Sequence, residues 1–335
     1  MTRNEPRREV AVFFTGGTIT MRPQPEEPGI APSSDFDQLF DELGLELAGV
    51  GLRPVFWSNR PSPHMTPELM FRLAQEIDDA LAEPQVIGAV VLHGTDVLVE
   101  SAYLADLTII STKPVVFTGA MRYLSELGYD GIRNLLGGIK ACLLPLPPEL
   151  GVVLLMTDRL FSAREVAKVH SLNIDAFEAP ETGPVGYLAG DAAIVLTRRS
   201  AGPAPSFKAK QIETNVALVT CYVGMDGGLI DFLRERGVAG LVIEGFGAGN
   251  VPPAVVPSLE ALLAENVPVI LATRCLEGGV WPIYAYPGGA MDLERKGVIP
   301  AGRLSGPKAR LLLMAALGVT RDVRHIRAIF SRLWA

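Results

Sequence analysis

Three short segments of the sequence place threonines, glycines and charged side chains where hydrolytic chemistry could occur. The first is Thr15-Gly16-Gly17-Thr18-Ile19-Thr20, which directly follows the apolar run Val10–Phe14. The two glycines allow backbone amides to approach a ligand closely, and the hydroxyl of Thr18 could then attack that ligand as a nucleophile. The same residues fit a tight turn capped by a threonine equally well, so this segment alone leaves both interpretations open.

The second segment is His93-Gly94-Thr95-Asp96, after the apolar run Ile87–Leu92. Asp96 could cap the following helix, bind a ligand ammonium group or hold a lysine in place. Lys168 follows a later apolar run, and a buried lysine can act as a base toward a hydroxyl, although most lysines are solvated surface groups. The third segment, Thr118-Gly119-Ala120-Met121-Arg122, permits a close backbone approach or simply a tight turn.

The remaining chemistry-bearing residues favour no metal or cofactor. The four histidines lack HxxxH or HExxH spacing, and the three cysteines form no CxxC pair, so neither a zinc site nor a disulfide framework is predicted. No GxGxxG follows the first strand and no GxxxxGK[ST] occurs, so the usual nucleotide cradle is missing.

Composition and charge predict a soluble cytoplasmic protein. The net charge is −7 over 335 residues, which gives no support for nucleic-acid binding. The sequence has no signal-peptide pattern and no apolar run approaching the ~18 residues of a membrane span. Widely separated cysteines are typical of a reducing compartment.

Buried strands alternating with helices must position the three segments. The runs Val10–Phe14, Ile87–Leu92, Pro114–Phe117 and Val152–Met156 lack polar alternation, which is typical of strands buried on both faces. Between them, residues 67–82 have apolar side chains at helical spacing after Thr66. This alternation predicts a parallel α/β sheet, whose ligand crevice lies beyond the carboxyl ends of the strands.

The chain is predicted to form two domains. Residues 198–213 replace hydrophobic periodicity with prolines and charges, which indicates a linker between a larger parallel-sheet domain, 1–197, and a smaller C-terminal α/β domain, 214–335. Residues 22–34 are acidic and rich in proline, and we interpret them as a mobile loop that could act as a lid over the first segment.

The three segments, in this order and at these separations, resemble the bacterial-type L-asparaginase/glutaminase family. Further similarity lies in Arg164-Glu165-Val166-Ala167-Lys168, in the glycine loop Gly245-Phe246-Gly247-Ala248-Gly249-Asn250 and in Gly306-Pro307-Lys308-Ala309-Arg310. The resemblance implies a two-domain amidohydrolase in which a threonine attacks a side-chain amide, ammonia leaves and water releases the acid. It implies no cofactor and no metal.

Residue roles follow from the resemblance alone. It makes Thr18 the primary nucleophile, and it groups Thr95, Asp96 and Lys168 as a second catalytic cluster with Lys168 as the base and Asp96 orienting it. The substrate-binding residues it implies are Ser62 for the α-carboxylate, Asp96 for the α-ammonium group, Thr95, the Ala120 carbonyl for the amide, and Asn250. Asn250 would act across a subunit interface, in a homodimer or homotetramer with shared active sites.

Departures from the family pattern keep alternative functions open. Ile30 stands where the family's lid usually has a tyrosine, Val97 follows Asp96 in place of a threonine, and no counterpart is found for a C-terminal-domain glutamate. Besides L-asparagine hydrolysis, the alternatives are hydrolysis of another amide or lactam, glutamine included, and a non-catalytic amino-acid-binding homologue. A tRNA-dependent amidotransferase subunit is disfavoured, because that role is expected to need a further N-terminal domain and a basic surface.

Overall fold

The computed structural model describes residues 8–23, 30–32, 50–144, 146–189, 193–196 and 208–332. The chain divides into two compact units, Met1–Ala204 and Pro205–Ala335. This division falls inside the predicted linker segment 198–213, of which residues 198–207 lie outside the described residues. The predicted domain bounds therefore stay a prediction.

The first unit is built around an eight-stranded sheet. Its strands are β1 (Arg8–Phe14), β4 (Val50–Phe56), β5 (Val86–Leu92), β6 (Val115–Thr118), β7 (Val153–Met156), β8 (Arg159–Ser162), β11 (Gly186–Ala189) and β12 (Ala193–Leu196). Their order across the sheet is β12-β11-β8-β7-β6-β5-β1-β4. Five neighbouring strands, β4, β1, β5, β6 and β7 in sheet order, pair in parallel. Their carboxyl ends therefore share one edge of the sheet, as the sequence predicts for the three chemical segments.

Helices of the first unit pack against its parallel strands. They are α1 (Pro67–Ala82), α2 (Leu98–Thr108) and α3 (Gly131–Cys142). In α1 the Thr66 side chain accepts a hydrogen bond from Leu69 N at 3.4 Å, and Pro67 occupies the first turn, where its missing N–H costs nothing. Its buried side chains recur every three or four residues, so one face lies in the core.

The outer part of this sheet is antiparallel, which differs from the wholly parallel arrangement that strand alternation suggests. β7 turns back into β8 through Thr157 and Asp158, whose φ angles are +46° and +62°. Arg133 holds the Asp158 carboxylate at 2.8 and 3.2 Å, and Asn134 Oδ1 accepts from Thr157 N at 3.1 Å. These hydrogen bonds offset the conformational free-energy cost of placing two residues other than glycine in the left-handed backbone region.

Part of the predicted loop 22–34 forms short strands. Backbone pairing joins β2 (Met21–Pro23) to β3 (Ile30–Pro32) in antiparallel register, with Ile30 opposite Pro23. The rest of the predicted mobile loop lies outside the described residues, which omit 24–29 and 33–49. A second small ladder pairs β9 (Ala167–Lys168) with β10 (Phe177–Glu178) and carries Lys168.

The second unit is a smaller α/β domain with its own core. Its four-stranded parallel sheet contains β13 (Val216–Thr220), β14 (Gly240–Gly245), β15 (Val269–Thr273) and β16 (Ile299–Pro300), in that order. Its helices are α4 (Gly228–Glu235), α5 (Val256–Ala264), α6 (Ala290–Lys296), α7 (Gly306–Val319) and α8 (Val323–Ser331). The architecture of both units is the two-domain α/β fold that the sequence predicts.

Candidate active site

The turn that carries Thr18 depends on two glycines. Gly16 has φ +104° and Gly17 has φ +94°, a backbone region that residues with a side chain avoid. A 3-10 turn over Thr18–Thr20 follows, in which Thr20 donates to the Gly17 carbonyl from its backbone N at 3.0 Å and from its hydroxyl at 3.2 Å. The half-buried Thr18 therefore starts a turn of defined geometry directly after β1.

The Thr18 turn and the Thr95 loop contact each other through glycine backbone. A Cβ atom on Gly17 would overlap Gly94 Cα and lie 2.5 Å from Gly94 N. No side chain separates the two loops at this point, and Thr18 and Thr95 each follow one of the touching glycines. The structure thus brings together the two threonines that the sequence separates by 77 residues.

Lys168 connects to both residues of the second cluster. Its Nζ donates to Thr95 Oγ1 at 3.0 Å and to Asp96 Oδ1 at 2.8 Å. The Lys168 side chain is 14% exposed, whereas that of Asp96 is 60% exposed, and Thr95 is buried. The lysine is therefore anchored in the protein while the free edge of the Asp96 carboxylate faces solvent, where a substrate could reach it.

Ser62 lies beside the same loop. It is buried in a 3-10 turn over Ser62–His64, and its hydroxyl accepts from Asp96 N at 3.2 Å. A Cβ on Gly94 would lie 2.8 Å from Ser62 Oγ, so this hydroxyl contacts the Gly94-Thr95-Asp96 backbone. Because a hydroxyl both accepts and donates, Ser62 can still donate to a ligand.

The loop that contains Ala120 is fixed by two polar residues at the start of α3, Asp130 directly before the helix and Asn134 in its first turns. The Asp130 carboxylate accepts from Met121 N at 3.1 Å and from Arg122 N at 3.0 Å. Asn134 Nδ2 donates to the Gly119 carbonyl at 3.0 Å. Ala120 itself is buried, and this loop abuts the Thr95 loop because a Cβ on Gly119 would overlap the His93 carbonyl.

A buried histidine supports the Thr95 loop from within. His93 Nδ1 lies 2.8 Å from the Gly94 carbonyl, and its Nε2 lies 3.0 Å from Ser101 Oγ. A carbonyl oxygen only accepts, so we assign the proton to Nδ1, and the Ser101 hydroxyl donates to Nε2. Burial lowers the pKa of His93 to about 4, against a smaller opposing effect of the Gly94 hydrogen bond. The imidazole is therefore neutral at physiological pH.

This histidine predicts an acid-dependent loss of stability. Its pKa is about 4 when folded and 6.5 in the unfolded reference, so the unfolded state binds more protons between these values. The stabilisation is fully present above pH 6.5 and is lost as pH falls toward 4, by about 2–3 kcal/mol in the free energy of unfolding at pH 4.5. Urea unfolding at pH 7 and 4.5 measures it.

A matched pair of variants isolates the contribution of His93. His93→Asn keeps an N–H that can donate to Gly94 but does not titrate, so its unfolding free energy should fall less on acidification than that of the wild type. His325→Asn changes an exposed histidine and should behave as the wild type does. The same acid sensitivity in His93→Asn and wild type would contradict the prediction.

Comparison with known proteins identifies the relatives of this chain. A family model described as "Asparaginase, N-terminal" matches residues 9–201, and one described as "Glutaminase/Asparaginase C-terminal domain" matches residues 215–330. The chain belongs to the asparaginase/glutaminase family. Membership confirms the predicted family and, with it, the enzyme class of hydrolases that act on linear amides.

Individual relatives agree with this assignment over nearly the whole chain. A probable L-asparaginase of Deinococcus radiodurans is 36% identical, with 96% of this chain and 97% of the relative covered. An L-asparaginase of Bacillus licheniformis is 33% identical, covering 94% and 97%. A solved structure described as a probable cytoplasmic L-asparaginase from Campylobacter jejuni superimposes with a TM-score of 0.84 at 30% identity, covering 97% and 99%. The predicted two-domain α/β fold is confirmed.

The glycine loop that carries Asn250 belongs to the second unit. Asn250 is half-buried, its Oδ1 accepts from Ala290 N at 3.3 Å, and its backbone pairs with that of Phe246. Gly249 has φ +106°, so the loop requires glycine before the asparagine. Asn250 is therefore held in a fixed conformation within this unit.

Three supporting residues escape the sequence analysis. Asp130 and Asn134 hold the Ala120 loop, and the Tyr129 hydroxyl donates to the Ile19 carbonyl at 2.7 Å. All three lie at the start of α3, where the sequence contains no motif. The one signal that could have found them is Asp130, a residue type that often precedes the first turn of a helix. Among the described residues, no cluster of three or more His, Cys, Asp or Glu side chains could hold a metal ion, and no helix is long and apolar enough to cross a membrane.

Proposed function

We propose that the protein hydrolyses L-asparagine to L-aspartate and ammonia, with Thr18 as the primary nucleophile. The observation that carries this proposal is the contact of Lys168 Nζ with both Thr95 Oγ1 and Asp96 Oδ1. This cluster lies next to the touching glycines that precede Thr18 and Thr95. The relatives named L-asparaginase support asparagine as the substrate.

In the first step the Thr18 oxygen attacks the side-chain amide carbon. The threonine proton is transferred to the amide nitrogen, the C–N bond breaks, and ammonia leaves behind an ester between the aspartyl group and Thr18. Negative charge develops on the carbonyl oxygen during attack, and backbone N–H groups around Gly17 and Thr95 are available to stabilise it. Such preorganised donors typically contribute more than 10²-fold in rate.

In the second step the Thr95 and Lys168 pair activates water. When Nζ is deprotonated, it can accept the Thr95 proton across the same 3.0 Å contact, and Thr95 in turn takes a proton from water. The resulting hydroxide attacks the ester carbon, the ester bond to Thr18 breaks, and the Thr18 oxygen takes up the proton that Nζ accepted, which restores both side chains as the product acid is released. Asp96 orients Nζ through its 2.8 Å ion pair.

Three groups are placed to bind the amino acid. The exposed edge of the Asp96 carboxylate suits the α-ammonium group, and the Ser62 hydroxyl can donate to the α-carboxylate. The Ala120 carbonyl oxygen could accept a hydrogen bond from the side-chain amide of the substrate. Each of these assignments pairs a donor with an acceptor, as the burial of polar groups requires.

Ammonia release from a panel of amides tests the proposal. Wild type and Thr18→Ala are compared on L-asparagine, L-glutamine, D-asparagine, simple amides and lactams. Thr18-dependent turnover that is fastest on L-asparagine supports the proposal. Thr18-dependent turnover of a different amide with silence on asparagine would instead favour a changed substrate, as Ile30 in the lid position suggests. Substrate-induced stabilisation without ammonia release would favour a binding homologue.

We further propose a cytoplasmic homodimer or homotetramer with shared active sites. All three cysteines carry free thiols, which fits a reducing compartment, and the relative from Campylobacter jejuni is described as cytoplasmic. The segment between β15 and α6 exposes Trp281, Ile283 and Tyr286, and exposed apolar side chains of this density are typical of an interface between subunits.

A shared site predicts complementation between two inactive variants. Asn250→Ala should lower activity at least about tenfold, since it removes one polar substrate contact. In a mixed dimer of one Thr18→Ala chain and one Asn250→Ala chain, one of the two sites is intact, so the heterodimer purified after coexpression should have about half of the wild-type activity. The measurement is ammonia release by purified, doubly tagged heterodimers; no recovery would mean that Asn250 serves its own subunit or none.

A further inference from the structure

Tyr129 connects the segment before α3 to the Thr18 turn. Its hydroxyl donates to the Ile19 carbonyl at 2.7 Å, across 110 positions of the chain, and this length is ordinary for an O–H···O bond. Ile19 is buried and directly follows Thr18. The tyrosine therefore contacts the backbone one residue from the proposed nucleophile.

The packing around this hydrogen bond fixes the tyrosine in place. A Cβ on Gly131 would overlap Tyr129 Oη and lie 2.7 Å from Ile19 Cγ1. Glycine at position 131 thus lets the tyrosine hydroxyl and the Ile19 side chain pack against the start of α3. A side chain there would push the hydroxyl away from the Ile19 carbonyl.

The Thr18 turn combines internal hydrogen bonds with one from outside the turn. Inside the turn, Thr20 bonds the Gly17 carbonyl and Met21 N bonds the Thr18 carbonyl at the turn's end. The Ile19 carbonyl is held by Tyr129 instead. The next residue, Asp130, accepts hydrogen bonds from Met121 N and Arg122 N. Two adjacent residues directly before α3 therefore hold the Thr18 turn and the Ala120 loop.

We propose that Tyr129 is a positioning residue that holds the Thr18 turn in its reactive conformation through the Ile19 carbonyl. This inference rests on the proposed role of Thr18. The lid position that the family usually fills with tyrosine is Ile30, which has no hydroxyl. Tyr129 supports the nucleophile from another element, and it does so through the backbone of the turn.

Tyr129→Phe tests the inference because it removes only the hydroxyl. We expect kcat on L-asparagine to fall about tenfold, as a small displacement of a reacting group has large kinetic effects, while KM stays within about twofold of the wild type. Tyr187→Phe removes an exposed tyrosine hydroxyl from β11 and serves as the matched control with unchanged kcat. Melting temperatures of all variants are recorded in parallel.

A second background separates positioning from general stabilisation. In Thr18→Ala, the added Tyr129→Phe change should leave the residual rate unaltered, because the hydroxyl acts through Thr18. An unchanged kcat in Tyr129→Phe, or an equal loss in both backgrounds, would overturn the inference while Thr18→Ala stays inactive. Full activity in Thr18→Ala would instead overturn the proposed function and this inference with it.

Discussion

Replacement of Thr18 by alanine is expected to lower kcat on the preferred amide by up to about 10⁶-fold, the loss typical of removing an activated hydroxyl nucleophile. The change deletes the attacking oxygen and leaves the Gly16–Gly17 backbone, whose φ angles do not depend on the Thr18 side chain. Substrate should still bind, because Ser62 and Asp96 are unaltered. Ammonia release gives kcat, and the rise in melting temperature with L-asparagine reports binding.

Thr18→Ser is the matched control for this experiment. It keeps a hydroxyl at the same position, so activity should remain within about tenfold of the wild type, well above that of alanine. Mass spectrometry after rapid acid quenching should find the aspartyl ester on residue 18 in wild type and serine variant. An ester on Thr95, or an alanine variant as active as the wild type, would assign the nucleophile elsewhere.

Lys168→Met is expected to lower kcat by about 10²–10⁴-fold, the range that a positioned general base contributes. Methionine matches the length of lysine but removes the atom that contacts Thr95 Oγ1 and Asp96 Oδ1. Stability should change little, because the Asp96 carboxylate is 60% exposed and ion pairs with an exposed partner contribute about 1 kcal/mol or less. Steady-state kinetics and urea unfolding measure the two effects separately.

Lys168→Arg distinguishes a base from an ion-pair partner. Arginine preserves the positive charge beside Asp96 but does not lose its proton in proteins, so it should be nearly as inactive as methionine. Lys296→Met breaks a comparable 2.9 Å ion pair with Glu260 in the second unit and should leave kcat unchanged. An active arginine variant would mean that Lys168 holds Asp96 without accepting a proton.

The fold was predictable wherever burial left a continuous apolar run. The run Val10–Phe14 belongs to β1, and α1 has the predicted bounds Pro67–Ala82. β4 escaped notice because Arg53 and Pro54 interrupt its sequence; it lies at the sheet edge, where a proline removes no ladder bond on the solvent side. The β7–β8 hairpin escaped because its turn, Thr157-Asp158, lacks the glycine or asparagine that usually indicates one.

The site was predictable as far as local motifs and the family resemblance extend. Strand ends place Thr18, Thr95 and Ala120 at one edge of the sheet, a consequence of parallel pairing alone. Lys168 lies in the short strand β9, which follows the antiparallel strand β8 and is not part of the large sheet. The regular spacing of strands and helices in the sequence therefore does not predict the contact of Lys168 with Thr95. Tyr129 acts through a hydrogen bond to a backbone carbonyl, which leaves no signature in residue type or periodicity.

The contact between Gly17 and Gly94 also determines where this enzyme can be diversified in the laboratory. Saturation libraries at positions 17 and 94 should yield glycine almost exclusively among active clones, since any Cβ meets the opposite backbone or Ser62. Selection for new amide substrates should therefore leave positions 17 and 94 as glycine, so that the two threonines stay together.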